Sequence, residues 1–305
     1  MKTDLSVRIG KLTLKNPVLT ASGTFGYGTE YQTYFNIEAL GGIITKTVTL
    51  EPRVGNPCPR IAETPAGMLN SIGLANVGID RYISEKLPLL EPFDTVVIAN
   101  VAGKTIDDYG EIVRRLESCS RVDGIEVNIS CPNVERGGLA FGTDPEVTGK
   151  IVKRLREETD KTLIIKLTPN VTDITSIARA AVENGADALS LINTVLGMAV
   201  DAKTRKPLIK RVVAGLSGPA IKPIALAKLY QTAKAVSVPL IGLGGIMTGE
   251  DAVEFIITGA TAVQTGTLHF IDPAGPIHVL EGITEYCRQH KITAIRDCVG
   301  TLVTE

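Results

Sequence analysis

The sequence predicts an α/β fold, a (β/α)8 barrel with an N-terminal hairpin and with insertions at the C-terminal face. Three observations carry this expectation. Short apolar runs at 17–21, 42–45, 95–99, 124–128, 163–167, 188–192, 239–242 and 262–264 have the length and character of buried strands. Between several of them the apolar spacing becomes helical, the alternation of a parallel sheet with crossover helices. Two helix-to-strand junctions also echo each other, Gly185-Ala186-Asp187-Ala188 and Gly259-Ala260-Thr261-Ala262, as a repeated β/α unit requires. An open doubly wound sheet shares the alternation and is the alternative.

Taken in order, residues 7–14, with Gly10-Lys11 in the middle, read as a hairpin ahead of the barrel. Asp144-Pro145 reads as an N-cap followed by proline at the first helical position, with Val147, Ile151, Val152 and Leu155 on one face. Asp173 caps the next helix, which turns Ile174, Ile177, Ala178, Ala181 and Val182 inward and stops at Gly185. Thr248 caps another, carrying Val253, Phe255 and Ile256. Two stretches break the rhythm. Residues 47–95 hold Pro52, Gly55, Pro57, Pro59, Pro65, Gly67 and Gly73, and read as an ordered insertion over the barrel mouth. Residues 198–215 are a second insertion, with Lys203, Arg205, Lys206 and Pro207 at a turn. Both follow strands, so both belong to the face where barrel active sites sit. The chain, 1–305, is read as a single domain.

Composition excludes several classes. Charged residues make up 21% and apolar residues 44% of 305, and the formal net charge is -1. No basic block marks a nucleic-acid surface. No apolar run reaches the roughly 18 residues of a membrane span, and no apolar segment follows the N-terminus as in a signal peptide. The cysteines, Cys58, Cys119, Cys131, Cys287 and Cys298, form no C-x-x-C pair. That pattern suits a reducing cytoplasm and supports no metal or iron–sulfur site in this chain. His269, His278 and His290 lack metal-ligand spacing and read as surface or packing residues.

Polar residues collect where the strands end: Ser22, Lys46, Asn100, Asn128, Lys166, Asn193-Thr194, Gly244-Gly245 and Gly266-Thr267. A barrel places them around one rim. Lys46 and Lys166 close apolar strands, so each either snorkels to solvent or meets the charge of a ligand. The glycine turns after strands seven and eight expose N–H groups, a recurring phosphate site of barrels. Ala214-Gly215-Leu216-Ser217-Gly218-Pro219-Ala220 reads as another donor-rich turn before a helix. The central stretch is Asn128-Ile129-Ser130-Cys131-Pro132-Asn133. Pro132 biases Cys131 away from helical geometry. The thiol there is either an inert core cysteine or a reactive group on a strand-end loop.

With these residues on the page, the chain resembles class 1 dihydroorotate dehydrogenases, and the class 1B catalytic subunit in particular. The carriers are residues 16–23, 45–49, 70–74, 128–133, 165–170, 192–194, 215–223, 242–246 and 264–267, with 138–146 looking like the 1B branch. In the loop after Leu74, Ala75-Asn76-Val77-Gly78 departs from the Gln-Asn-Pro-Gly expected of the family. The resemblance implies FMN held by Ser22, Lys46, Thr47, Asn100, Asn128, Lys166, Ile192, Gly218, Gly244, Gly245, Gly266 and Thr267. It implies dihydroorotate held by Lys46, Asn70, Ser71, Ile72, Gly73, Leu74, Asn128, Asn193 and Thr194, with Cys131 as the base. It also implies a homodimer core joined to a subunit carrying FAD and a [2Fe–2S] cluster, which hands electrons to NAD. The chemistry then removes a proton from C5 and passes the C6 hydride to the flavin. A class 1A, fumarate-linked enzyme and another FMN-dependent pyrimidine-reducing barrel are the alternatives within flavin chemistry. A flavin-free phosphate-binding barrel and a non-catalytic scaffold are the alternatives outside it.

Overall fold

The computed structural model describes residues 3–130 and 141–304. Strands β1 (Val7–Ile9) and β2 (Leu12–Leu14) form the expected antiparallel hairpin. Gly10 turns it at φ +56°. Its buried residues, Val7, Ile9, Leu12 and Leu14, join the main core.

The closed sheet comprises β3 (Val18–Thr20), β4 (Gly42–Ile44), β7 (Val96–Val101), β8 (Gly124–Asn128), β9 (Thr162–Lys166), β10 (Ala188–Leu191), β15 (Leu240–Leu243) and β16 (Ala262–Thr265), in that order round a barrel. Every pairing between them is parallel. Each strand falls on one of the apolar runs, and the doubly wound alternative is excluded by closure. The runs are continuous rather than alternating because these strands are covered on both faces. All residues of β9, for example, are buried.

The crossover helices start where local chemistry dictates. In α2 (Ile106–Glu117) the Thr105 hydroxyl accepts from Asp108 N, and the Asp108 carboxylate accepts from Thr105 N. Asp144 caps α3 (Pro145–Arg156) with proline at its first turn, and Asp173 caps α4 (Ile174–Glu183). A reciprocal Thr248–Asp251 cap opens α6 (Gly249–Thr258). Each such cap contributes about 1 kcal/mol. The buried stripes of α3 and α6 contain the residues their spacing predicted; on α4, Val182 is half-buried against the core.

The insertions are ordered, and they combine. β5 (Ile61–Thr64) and β6 (Gly67–Asn70) come from the first, and β11 (Val195–Gly197) and β14 (Ala214–Ser217) flank the second. Together they form one antiparallel sheet in the order β11-β14-β6-β5. The tip between them is a small hairpin of β12 (Val200–Asp201) and β13 (Lys206–Pro207). One expectation is corrected here. Residues 214–217 are a strand, because β6 and β11 supply the ladder partners that a local reading does not see; the turn begins at Gly218 (φ +96°). The first insertion also carries α1 (Gly78–Arg81). The remaining α-helices among the described residues are α5 (Lys222–Ala233), α7 (Leu268–Ile271) and α8 (Gly275–Gln289). Among the described residues, no helix is long and apolar enough to cross a membrane.

Candidate functional site

The polar residues named from the sequence stand at the C-terminal ends of all eight barrel strands. Asn100 is the penultimate residue of β7, and Asn128 and Lys166 are the last residues of β8 and β9. Gly244 and Gly266 directly follow β15 and β16, and Ser22, Lys46 and Asn193 follow β3, β4 and β10 by two residues. Parallel strands all end on one face, so register alone converts scattered sequence positions into a ring.

Three groups of contacts build the site. The first is a glycine cradle. Gly244 (φ +122°) and Gly245 (φ +84°) leave β15, and an added Cβ at Gly245 would lie 3.0 Å from Gly218 O and 2.9 Å from Lys222 N. A Cβ at Gly244 would meet Ile192 Cγ1 at 3.3 Å, and one at Gly218 would meet Thr267 Cγ2 at 3.5 Å. Thr267 Oγ1 donates to Ser217 Oγ (2.8 Å). Ala21 N donates to Thr265 O (2.8 Å), which brings Ser22 beside Gly266. Gly218, Gly244, Gly245, Gly266, Thr267, Ser22 and Ile192 therefore converge.

The second group is amide-rich. Asn193 Nδ2 donates to Asn128 Oδ1 (3.2 Å) and to Ser130 Oγ (2.9 Å). Thr194 N donates to Asn193 Oδ1 (2.9 Å). Tyr109 donates its hydroxyl to Asn128 O (2.6 Å), locking the strand end. Asn70 Nδ2 reaches Gly215 O (3.4 Å), and a Cβ on Gly215 would strike Thr194 Oγ1, so β6 and β14 press Asn70 and Thr194 toward each other. Ser71, Ile72 and Gly73 are held by Asn56, whose Nδ2 donates to Ser71 Oγ (2.7 Å) and whose N donates to Ile72 O (2.9 Å). Leu74 sits at φ +55°. The departing motif at 75–78 keeps the residue that matters locally. Asn76 donates to Thr49 Oγ1 (2.8 Å) and Leu74 O (2.7 Å), and accepts from Gly78 N (2.8 Å).

The third group is charged and lies inside the barrel. The Lys166 ammonium sits 3.5 Å from Glu126 Oε1, and both side chains are buried. Glu126 also accepts from Asn100 Nδ2 (2.6 Å) and from Gln264 Nε2 (2.6 Å). Asn100 Oδ1 and Gln264 Oε1 are buried without a hydrogen-bond partner among the described residues. Lys46 is half-buried, and that burial lowers its ammonium below the usual lysine value, with the charge of Arg60 acting the same way. Thr47 beside it is buried. Lys166 is countered by Glu126, whereas Lys46 has a second cation, Arg60, acting on it, and such a pair at the mouth favours an anionic occupant.

Cys131, named from the sequence as the base, lies outside the described residues. The sequence reading did not single out Glu126 or Gln264 as site residues. The signal was present for Glu126: a carboxylate in the middle of an apolar strand, 124–128, has to find partners. The histidines serve packing and surface roles. His269 is buried between threonine hydroxyls, while His278 pairs with Asp272 and His290 stacks on Tyr286 at the surface. No cluster of metal-ligating side chains exists among the described residues.

Comparison with known proteins gives three findings. Residues 4–286 match the family model described as dihydroorotate dehydrogenase. The chain is 53% identical over 303 residues, 99% of each chain, to the dihydroorotate dehydrogenase B (NAD(+)), catalytic subunit, of Geotalea uraniireducens. It is 52% identical over 301 residues, again 99% of each, to the protein of that description from Geobacter sulfurreducens. Among solved structures, a DHODH from Eimeria tenella in complex with ferulenol superposes with a TM-score of 0.80 at 26% identity, covering 98% of this chain and 88% of that one.

Proposed function

We propose that this chain, which belongs to the dihydroorotate dehydrogenase family, holds FMN in the glycine cradle and oxidises dihydroorotate to orotate against it, in pyrimidine biosynthesis. The observation that carries the reading is the cradle, the glycine turns that follow β15 and β16, taken with the buried Lys166 at the end of β9 on the same rim. A flavin phosphate would be met by backbone N–H groups of these turns, and Gly266, where an added Cβ would meet only Ala21 Cβ at 3.6 Å, leaves the approach open. We read the cofactor as FMN rather than FAD, because the cradle among the described residues accounts for a single phosphate site.

When bound, FMN supplies the acceptor for the C6 hydride. The residues do the rest. Lys166, Lys46 and Asn100 hold the ring system, with Ser22, Thr47, Asn128 and Ile192 lining it. Asn193, Asn128, Asn70 and Thr194 offer the amide and hydroxyl groups that match the donor–acceptor edge of a pyrimidine. Residues 71–74 close over the substrate with Lys46 toward its carboxylate. Cys131 takes the C5 proton; a thiol ionises near pH 8.5, so turnover rises with pH toward that value.

Electrons leave through a partner. The relatives' description as a catalytic subunit, NAD-linked, supports a second subunit, and we assign it FAD and a [2Fe–2S] cluster around a homodimer of this chain. The cytoplasm is the compartment in which its free thiols stay reduced. The test is anaerobic titration of the purified protein with dihydroorotate while following flavin absorbance, with the acid-released cofactor identified by chromatography. Bleaching of a yellow protein and recovery of FMN are expected. Recovery of FAD, or a flavin that dihydroorotate does not bleach, would overturn the proposal.

A further inference from the structure

In the barrel interior Glu126 contacts the Lys166 ammonium and the carboxamides of Asn100 and Gln264. It projects from the middle of β8 and is fully buried. Asn100 is its register partner on β7 and donates to Oε1. Gln264 comes from the other side. Passing round the barrel from β8 through β9, β10 and β15 reaches β16, so the Gln264–Glu126 bond spans the interior. Lys166, at the end of β9, completes the set at 3.5 Å.

Both carboxamides turn their NH2 groups toward Glu126, which accepts from each. Their oxygens are the atoms left over, and both are buried without a partner among the described residues. A second consequence concerns charge. Lys166 is buried, and the carboxylate beneath it cancels part of its field at short range.

We infer that Glu126 is a positioning residue for the flavin site: it anchors Lys166 and two amides from below and sets how much positive charge the barrel mouth presents to the bound cofactor. This rests on the flavin reading above. The electron-rich form of the cofactor is the one a cation favours. Glu126 therefore holds the cofactor's potential down, and does so through Lys166.

The isosteric variant Glu126→Gln tests the charge without removing the scaffold. A glutamine at 126 has one NH2 group to place, and either unpartnered amide oxygen accepts it if that amide rotates. Hydrogen bonding survives while the negative charge is lost. In flavin-loaded protein, Glu126→Gln is expected to raise the flavin midpoint potential, read by equilibration with a reference dye. Lys166→Met is expected to lower it, and Glu126→Gln in the Lys166→Met background is expected to shift it less than in wild type. An unchanged or lowered potential in a folded Glu126→Gln protein would sink the inference while leaving the flavin reading intact. Wild-type protein that binds no flavin would instead remove that reading, and this inference with it. Should Glu126→Gln not fold alone, thermal melting of Lys166→Met and of the double variant decides. The single variant strands a buried carboxylate, so the double variant melts higher; a double variant that melts no higher refutes the pairing.

Discussion

His269 makes the folded protein acid-sensitive over a defined range. Its ring is buried, with Nδ1 2.8 Å from Thr24 Oγ1 and Nε2 2.9 Å from Thr265 Oγ1. Phe25 packs its ring against it, at 5.2 Å between centroids. Burial lowers its pKa from 6.5 to about 4, with the Thr24 contact opposing the shift. The imidazole is therefore neutral when folded at pH 7. Between 6.5 and about 4 the unfolded chain binds the proton that the folded protein refuses. Stability is complete above 6.5, falls as the pH drops toward 4, and levels off below. At about 1.4 kcal/mol per pH unit the full loss is about 3 kcal/mol, and about 2 kcal/mol is gone by pH 5. The assay is urea unfolding of wild type and His269→Gln across pH 8 to 5. The glutamine variant starts less stable, because it loses ring packing, but the gap narrows by about 2 kcal/mol on acidification. A gap that stays constant over that range would refute a neutral, buried imidazole. The site feels this residue directly, since His269 ties the loop bearing Ser22 to the strand end that precedes Gly266.

Other outcomes follow from the same geometry. Cys131→Ala should keep its flavin and bind orotate, yet reduce the flavin with dihydroorotate about 10²–10⁴-fold more slowly in anaerobic stopped flow. Gly245→Ala forces a Cβ to 2.8 Å from Lys222 Cβ at φ +84°, and should release FMN on dilution, seen as a rise in free-flavin fluorescence. Asn193→Ala removes the donor to Asn128 and Ser130, and should raise the KM for dihydroorotate about tenfold with little change in the fluorescence-measured flavin affinity. The isolated chain should reduce artificial dyes with dihydroorotate but NAD only slowly; rapid NAD reduction without a second subunit would dismiss the partner, and efficient fumarate reduction would reassign the acceptor.

Much of the barrel was legible in the residues because its determinants are local. A strand covered on both faces must be apolar throughout, so 163–167 and 188–192 declare themselves without knowledge of their neighbours. The caps of α3, α4 and α6 are likewise decided within a few residues by one side-chain oxygen and the N–H groups it faces. The rim residues could be named because parallel strands end on a single face, a consequence of topology alone.

Closure of the chain decided the rest. Residues 214–217 look like a turn until β6 and β11 offer their ladders, since strand pairing depends on segments far away in sequence. Glu126 reads as an oddity in an apolar run until the barrel closes and brings Gln264 across to it. A buried carboxylate has to be satisfied, which sequence chemistry can state. The amides and the ammonium that satisfy it come from β7, β16 and β9, and only the closed barrel holds those strand ends within hydrogen-bonding distance of one another.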